Sequence, residues 1–212
     1  MAIFGQGQSQ IDYRLLAKGL IAPVQHAGRV IMEIYQSDPS LEIKADGSPV
    51  TRADHAAEAI LLPEIATLAP SIQIISEENV TSHSLAPSQD FFLVDPLDGT
   101  KEFIKARGDG AFTVNIGLIK NGQPVMGIVF APALDRLFFG SLGNGAFEIS
   151  GGICRQIRVR MPPVEGPVAV ASASHRDAQT NQWLEKRGVT NSIAIGSSLK
   201  FCLIASGEAD LY

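Results

Sequence analysis

The sequence predicts a mixed α and β protein in two lobes, and three observations carry that prediction. Apolar residues recur at helical spacing in two N-terminal segments, from Asp12 to Tyr35 and again after Asp54. Short apolar or alternating runs bounded by turn residues read as strands: Ile72–Ile75, Phe91–Val94, Ala111–Ile119, Val125–Phe130 and Leu137–Phe139. The stretch Met161–Pro167, rich in Pro, marks the expected boundary between a first lobe over residues 1–160, which carries the candidate site, and a second over 168–212.

Length and composition bound the rest. A chain of 212 residues, 45% of them apolar, is ample for a real core. Its longest uncharged apolar stretches fall well short of the roughly 18 residues of a membrane span. The segment Met1–Gln10 lacks the basic-then-apolar order of a signal peptide, so a cytoplasmic location is expected. Cys154 and Cys202 have no Cys-x-x-Cys or Cys/His spacing, which suggests reduced thiols, with Cys202 buried in an apolar helical pattern. His26, His55, His83 and His175 form no HExxH-type pair and read as structural or solvated. A net charge of −5 argues against a general nucleic-acid binder. A small anionic substrate stays open if a metal and a local basic cluster supply the attraction.

In chain order, Leu16, Leu20, Val24, Ala27, Ile31 and Ile34 form a core-facing helical stripe, which Pro23 is expected to kink or split. Leu41–Thr51 reads as a short alternating strand with an Asp46-Gly47 turn. Ala57, Ile60, Leu61, Ile65 and Leu68 then lie at helical spacing, and Thr51 or Asp54 can cap that helix. Ile72–Ile75 leads into Ser76-Glu77-Glu78. Adjacent glutamates on a strand point to opposite faces, so at most one easily joins a site centred on Asp95. Val80–Asp90, rich in Ser, Pro and His, reads as a surface loop.

The strongest chemical signal lies at Phe91–Ile104. Four apolar residues, Phe91–Val94, read as a strand buried on both faces, and its carboxyl end carries Asp95 and Asp98. Pro96 fixes one φ and biases Asp95 toward an extended conformation, so a sharp turn is expected between the acids, with the Leu97 carbonyl pointing the same way. Such an oxygen set suits a hard cation such as Mg²⁺, which keeps waters and phosphate oxygens in its remaining positions. Gly99 lets the backbone approach a ligand, and Thr100 opens a helical segment whose first N–H groups favour an anion. Asp-Pro-x-Asp-Gly is equally an ordinary turn sequence, so the residues by themselves leave both readings open.

Beyond the site, Lys101 and Lys105 are four apart and share a helix face, facing either a second phosphate or solvent. Lys105 and Arg107 with Gly108–Gly110 suggest a helix end and a mobile loop. Asn121-Gly122 is a hairpin signal, and Gly140–Gly145 is a hairpin turn rather than a nucleotide-binding glycine loop. Val168–Ser172 and Ser192–Ile195 read as strands and Asp177–Arg187 as a helix. Gly196-Ser197-Ser198 ends a strand and starts a helix, where small hydroxyl residues are ordinary N-caps but also leave room for a substrate sugar.

The run Asp95–Thr100 resembles the signature of the inositol monophosphatase superfamily of Mg²⁺-dependent phosphatases. Its continuation Lys101–Ile104, the segment Gly196–Leu203 and the run Ala205–Tyr212 are most similar to the CysQ branch, the 3'(2'),5'-bisphosphate nucleotidases. Lys44 followed by Asp46–Asp54, and Ser76–Glu78, resemble further superfamily motifs. This resemblance implies an α+β fold, a layered αβαβα sandwich, often as a homodimer. It implies Mg²⁺ held by Glu77, Asp95, the Leu97 carbonyl and Asp98, with Glu77 chosen over Glu78. Lys44 and Asp54 would approach the metals and the attacking water, Thr100 with Glu77 would orient that water, and the Gly99 and Thr100 amides would hold the phosphate. Gly196, Ser197 and Ser198 would line the substrate. The implied reaction is hydrolysis of the 3'-phosphate of adenosine 3',5'-bisphosphate to AMP and phosphate. An inositol or sugar monophosphatase would share the metal site, and a non-catalytic phosphate- or metal-binding module is the alternative of another class. Superfamily members carry a later Trp-Asp pair whose Asp is a metal ligand. The sequence stops at Tyr212 before it, so the expectation is either that the C-terminal part of the second lobe is missing or that the second metal site is incomplete.

Overall fold

The computed structural model describes residues 11–37, 41–43, 49–84, 86–104, 110–172 and 176–212. Lys44, Lys105, Arg107–Asp109 and His175, all singled out in the sequence, lie outside the described residues.

Helix α1, Tyr13–Gln36, starts at Asp12, whose carboxylate accepts from the Arg14 and Leu15 N–H groups. It runs through Pro23 as one helix rather than two. Proline forfeits one backbone bond, but Leu16, Leu20, Val24, Ala27 and Ile31 are fully buried on both sides of it, and that packing holds the halves together. Strands β1, Leu41–Ile43, and β2, Pro49–Thr51, form an antiparallel pair leading into helix α2, Arg52–Leu68. The α1–α2 pair lies on one face of a seven-stranded sheet, α1 against β6 and β7 and α2 against β4.

That sheet has the order β3-β4-β5-β6-β7-β8-β9. Its strands are β3 Gln73–Ser76, β4 Asp90–Asp98, β5 Thr113–Lys120, β6 Gln123–Ala131, β7 Arg136–Ser141, β8 Gly145–Ser150 and β9 Ile153–Ile157. β3 and β4 are parallel and every later pairing is antiparallel. Asn121 and Gly122 both take positive φ in the β5–β6 hairpin, the geometry that the Asn-Gly pair favours. Ser141 pairs with Gly145 across the β7–β8 turn, so the glycine-rich run is a hairpin.

Beyond the sheet, β10 Val168–Ser172 and β11 Asn191–Ile195 form a parallel pair joined through helix α5, Ala178–Lys186. Helix α6, Leu199–Ala205, is wedged between the two sheets. Its Leu199 and Cys202 pack with Ala131, Phe138 and Ile157 of the large sheet, and its Leu203 packs with Val170 of the small one. Ala169 and Ala171, on the alternate face of β10, look toward Trp183 and Leu184 of α5. The layers therefore run helix pair, large sheet, α6, small sheet, α5: an αβαβα sandwich. Glu148, buried in β8, ties the stack further, accepting from Arg136 (2.6 Å) and Arg155 (2.5 Å), while Arg136 also reaches Glu208 beyond α6.

Three expectations change. The run Phe91–Val94 is not buried on both faces: Phe92 and Val94 face the helix pair, whereas Leu93 is 46% exposed. An unbroken apolar run does not report which face is covered, and only the α1–α2 side of β4 is fully packed. The segment Val80–Asp90 is not all loop, because Val80–His83 form a helical turn, α3, capped by the Asn79 side chain. Ser198, at the start of α6, makes no side-chain cap; the neighbouring Ser197 hydroxyl accepts from the Leu199 N–H instead (3.3 Å).

One size constraint is testable at once. Gly28 faces β6, and a methyl group there would sit 2.7 Å from Phe130 Cδ1 and 3.1 Å from Pro132 Cβ. Gly28→Ala is expected to destabilise the chain by about 1–3 kcal/mol through overpacking, read by urea denaturation. An unchanged midpoint would show that Phe130 swings away freely.

Candidate active site

β4 does not turn sharply between its acids; it continues as a strand to Asp98, with a bulge. Asp95 pairs with Asn115 and Asp98 with Thr113, so three steps along β4 match two along β5. In a regular strand, residues three apart face opposite sides. The extra residue restores their parity, and Asp95 and Asp98 reach one cavity. Pro96, which has no N–H for the ladder, sits at that irregularity. The Leu97 N–H folds back onto Asp95 Oδ1 (3.1 Å).

Glu77 arrives from the neighbouring strand. The parallel register sets Ser76 beside Val94, and the Glu77 N–H donates to the Val94 carbonyl (2.9 Å), so the next residue on each chain is an acid. Glu77 lines the cavity with Asp95, Leu97, Asp98, Gly99 and Thr100, and the opposite wall comes from Gly196, Ser197, Ser198 and Lys200. Its volume is about 350 Å³. Glu78 does not line it, although its charge is felt by Asp54.

Asp54 serves as a cap and stands near the site as well. Its Oδ2 accepts from the Thr51 N–H and hydroxyl (both 2.7 Å), completing a capping box, while Oδ1 lies 3.5 Å from Thr100 Oγ. Thr100 Oγ also lies 3.2 Å from the Leu97 carbonyl. Thr100 opens helix α4, Thr100–Ile104. Gly99 enters it at φ +91°, with Ala111 O 3.0 Å from where a Cβ would stand, so only glycine fits without strain.

The second wall is locked to the first. The Ser198 N–H donates to Asp98 Oδ2 (2.5 Å), and its hydroxyl turns to Asn115 Oδ1 (2.5 Å) and Thr113 Oγ (2.9 Å) on β5. Ser198 thus fixes the orientation of Asp98, and its hydroxyl is spent on the sheet. Ser197 holds a left-handed φ of 52°, and its carbonyl accepts from Lys200 Nζ (2.6 Å). Gly196 lets Glu102 come close, since a Cβ there would meet that side chain at 2.7 Å. Sequence reading gave no site role to five cavity residues: Glu102, Ser172, Lys200, Phe201 and Tyr212. The one available signal for Lys200 was a lysine four residues after Gly196, on the inward face of an apolar helix.

Electrostatics single out this cavity. Burial, then the charges of Glu77 and Asp98, push the Asp95 carboxyl up to about 8. Asp98 is also raised, chiefly by burial, although the Ser198 N–H and the Lys200 charge pull the other way. Asp54 is raised by burial against its Thr51 hydrogen bonds. A buried acid held protonated by acidic neighbours marks a place where positive charge is wanted. Among the described residues no three acid, histidine or cysteine side chains are gathered tightly enough to hold an ion unaided. The donors line an open cavity instead of a closed cage, which leaves positions for a backbone carbonyl, waters and substrate oxygens, as hard cations require. The donor set fits such an ion.

Residues 12–212 match the family described as the inositol monophosphatase family. The chain is 44% identical over 191 residues to the 3'(2'),5'-bisphosphate nucleotidase CysQ of Salmonella typhimurium, over 89% of this chain and 76% of that protein. It is 42% identical to the CysQ of Escherichia coli K12 over the same shares. Among solved structures it superposes on CysQ from Bacteroides thetaiotaomicron, described as a bacterial member of the inositol monophosphatase family. That match has a TM-score of 0.72 and 32% identity, over 94% of this chain and 79% of that one.

Proposed function

The chain belongs to the inositol monophosphatase family, and from that premise we propose that it is a metal-dependent phosphoric monoester hydrolase acting as a 3'(2'),5'-bisphosphate nucleotidase. It removes the 3'-phosphate of adenosine 3',5'-bisphosphate, leaving AMP and phosphate. The observation that carries this reading is the convergence of Glu77, Asp95 and Asp98 on one cavity whose opposite wall is the Gly196–Lys200 turn. The similarity to the CysQ nucleotidases supports the substrate.

Glu77, Asp95, the Leu97 carbonyl and Asp98 would hold the metal, and Mg²⁺ is the ion assigned because every donor is oxygen. When bound, it supplies Lewis-acid stabilisation of phosphoryl charge and a more acidic water at neutral pH. The chain's own groups do the positioning. A hydroxyl has one donor and two acceptor sites, so Thr100, with its proton directed at the Leu97 carbonyl or Asp54, keeps lone pairs to orient a water toward phosphorus. Glu77, Asp54 and Lys44 share that task in this reading. The Gly99 and Thr100 amides hold the phosphate, and Gly196, Ser197 and Ser198 border the sugar, with Ser198 acting through Asp98. In-line hydrolysis of this kind depends mainly on such positioning and charge neutralisation, and needs no protein nucleophile. No helix among the described residues is long and apolar enough to cross a membrane. A cytoplasmic location, a homodimer, and a division into a metal-bearing lobe at 1–160 and a substrate-side lobe at 168–212 complete the proposal.

The test is phosphate release from a substrate panel with Mg²⁺ present or chelated. Expected is a kcat/KM for adenosine 3',5'-bisphosphate at least about tenfold above that for inositol monophosphate, with both lost on chelation. Equal or preferred turnover of inositol monophosphate would reassign the substrate. Thermal stabilisation by Mg²⁺ and ligand without phosphate release would mark a binding module.

A further inference from the structure

The bulge that turns Asp95 and Asp98 to one side also sets their neighbours on β5: Asp95 stands beside Asn115, and Asp98 beside Thr113. Thr113 and Asn115, two apart, share one face of β5, and both side chains meet Ser198 of the opposite wall. The three groups close a ring of hydrogen bonds whose direction is set by one backbone atom. Asn115 Nδ2 lies 3.3 Å from the Thr113 carbonyl and 3.2 Å from Thr113 Oγ. An oxygen in its place would oppose the carbonyl, so the amide nitrogen faces Thr113 and the amide oxygen faces Ser198. Ser198 Oγ then gives its single proton to Asn115 Oδ1 (2.5 Å), which leaves Thr113 Oγ as the donor to Ser198 Oγ (2.9 Å). Docking of α6 does not by itself call for polar groups here. Leu199 and Cys202 already meet the large sheet through apolar contacts, and Thr113 is fully buried. A buried hydroxyl is costly unless bonded, so apolar side chains would hold the two layers together as well. What the ring adds is direction: it holds Ser198, whose backbone N–H is spent on Asp98 Oδ2 (2.5 Å).

We infer that Thr113 and Asn115 are positioning residues for the hydrolysis: through their ring with Ser198 they hold the Asp98 carboxylate, and the wall that borders the sugar, in register with Asp95 and Glu77. The inference rests on the metal-dependent hydrolase reading and deepens it, because it names groups outside the donor set on which ion binding depends. Neither side chain is assigned a contact with ion or substrate. Groups that orient a ligand from behind typically set metal affinity by about ten- to a hundredfold. The three side chains act as one unit, since each hydroxyl or amide in the ring is held by the other two.

Calorimetric titration of the full chain with Mg²⁺ tests this without turnover of substrate. Thr113→Val keeps the shape and deletes the hydroxyl, and is expected to weaken Mg²⁺ binding about tenfold. Thr113→Ser keeps the ring and is expected to bind Mg²⁺ as the wild type does. Asn115→Leu breaks the ring from another side, is expected to match Thr113→Val, and covers the case where that chain does not fold. The double variant should bind no more weakly than the poorer single one, because two breaks in one network do not add. Affinity near wild type in both Thr113→Val and Asn115→Leu overturns the positioning role. So does a loss that Thr113→Ser shows equally, or losses that add in the double variant. A wild type that takes up no Mg²⁺ overturns it together with the hydrolase reading. The expected affinities without phosphate release from any substrate of the panel refute the hydrolase and keep the positioning role. Mg²⁺-dependent phosphate release with affinities indifferent to these substitutions does the reverse.

Discussion

Asp95→Asn is expected to lower metal-dependent phosphate release by on the order of a thousandfold while leaving the fold in place. Asparagine has the shape of aspartate and keeps an oxygen to accept from the Leu97 N–H, so the bulge in β4 should survive. It removes the carboxylate that a bound divalent ion would meet at the centre of the acid cluster, where Glu77 and Asp98 both act on Asp95. An amide oxygen is a weaker partner for a divalent ion than a carboxylate, and the remaining charge falls short of what the ion and the phosphoryl group require. Asp98→Asn should behave alike, since the amide oxygen can still accept the Ser198 N–H. Phosphate release with saturating Mg²⁺, checked against the circular dichroism of the same preparation, measures the effect. Activity within tenfold of wild type would remove Asp95 from the donor set.

How much of this was readable beforehand follows from where each residue sits. The helical stripes of α1 and α2 and the strands of the large sheet are locally encoded, and the αβαβα layering follows from the motif resemblance. The acids were legible because two carboxylates close an apolar strand within a motif that resembles a known signature, and of the adjacent Glu77 and Glu78 it is Glu77 that lines the cavity. The route was different from the one expected. A bulge, not a sharp turn, brings Asp95 and Asp98 to one side, and bulges depend on the partner strand β5, which a single strand's residues do not reveal. Leu93 was misjudged for a related reason: burial of a strand's second face is decided by layers far away in sequence. Ser198 could not be read as a bolt between Asp98 and β5, because its partners lie about a hundred and more than eighty residues away. Lys200 and Phe201 owe their place in the cavity to the docking of α6 between two sheets, and Tyr212 follows Leu211, which bridges to β10; both are tertiary events with no local signature.

The raised acids also make a prediction about pH with a definite sign. The folded, metal-free chain holds the Asp95 proton up to about pH 8, whereas an unfolded aspartate releases it near 3.9. Between those values the folded state binds more protons than the unfolded one, so stability is fully present below about pH 4 and is lost as pH rises through about 8. Asp54 and Asp98, also raised, act in the same direction. Asp177, Glu208 and Asp210 are held low and act with the opposite sign, but their window lies below the ordinary carboxylate range and does not reach neutral pH. The melting temperature of the chelated chain is therefore expected to fall by several degrees between pH 6 and pH 9, and Asp95→Asn should flatten that fall. A divalent ion reverses the balance, because it binds the deprotonated acids and competes with their protons. Stabilisation by Mg²⁺ should accordingly grow with pH over the same window, with proton release detectable in weakly buffered solution. A chelated wild-type chain whose melting temperature rises from pH 6 to pH 9, or one that Asp95→Asn leaves unchanged at both ends, would mean that the three acids do not share a low-dielectric, cation-seeking cavity.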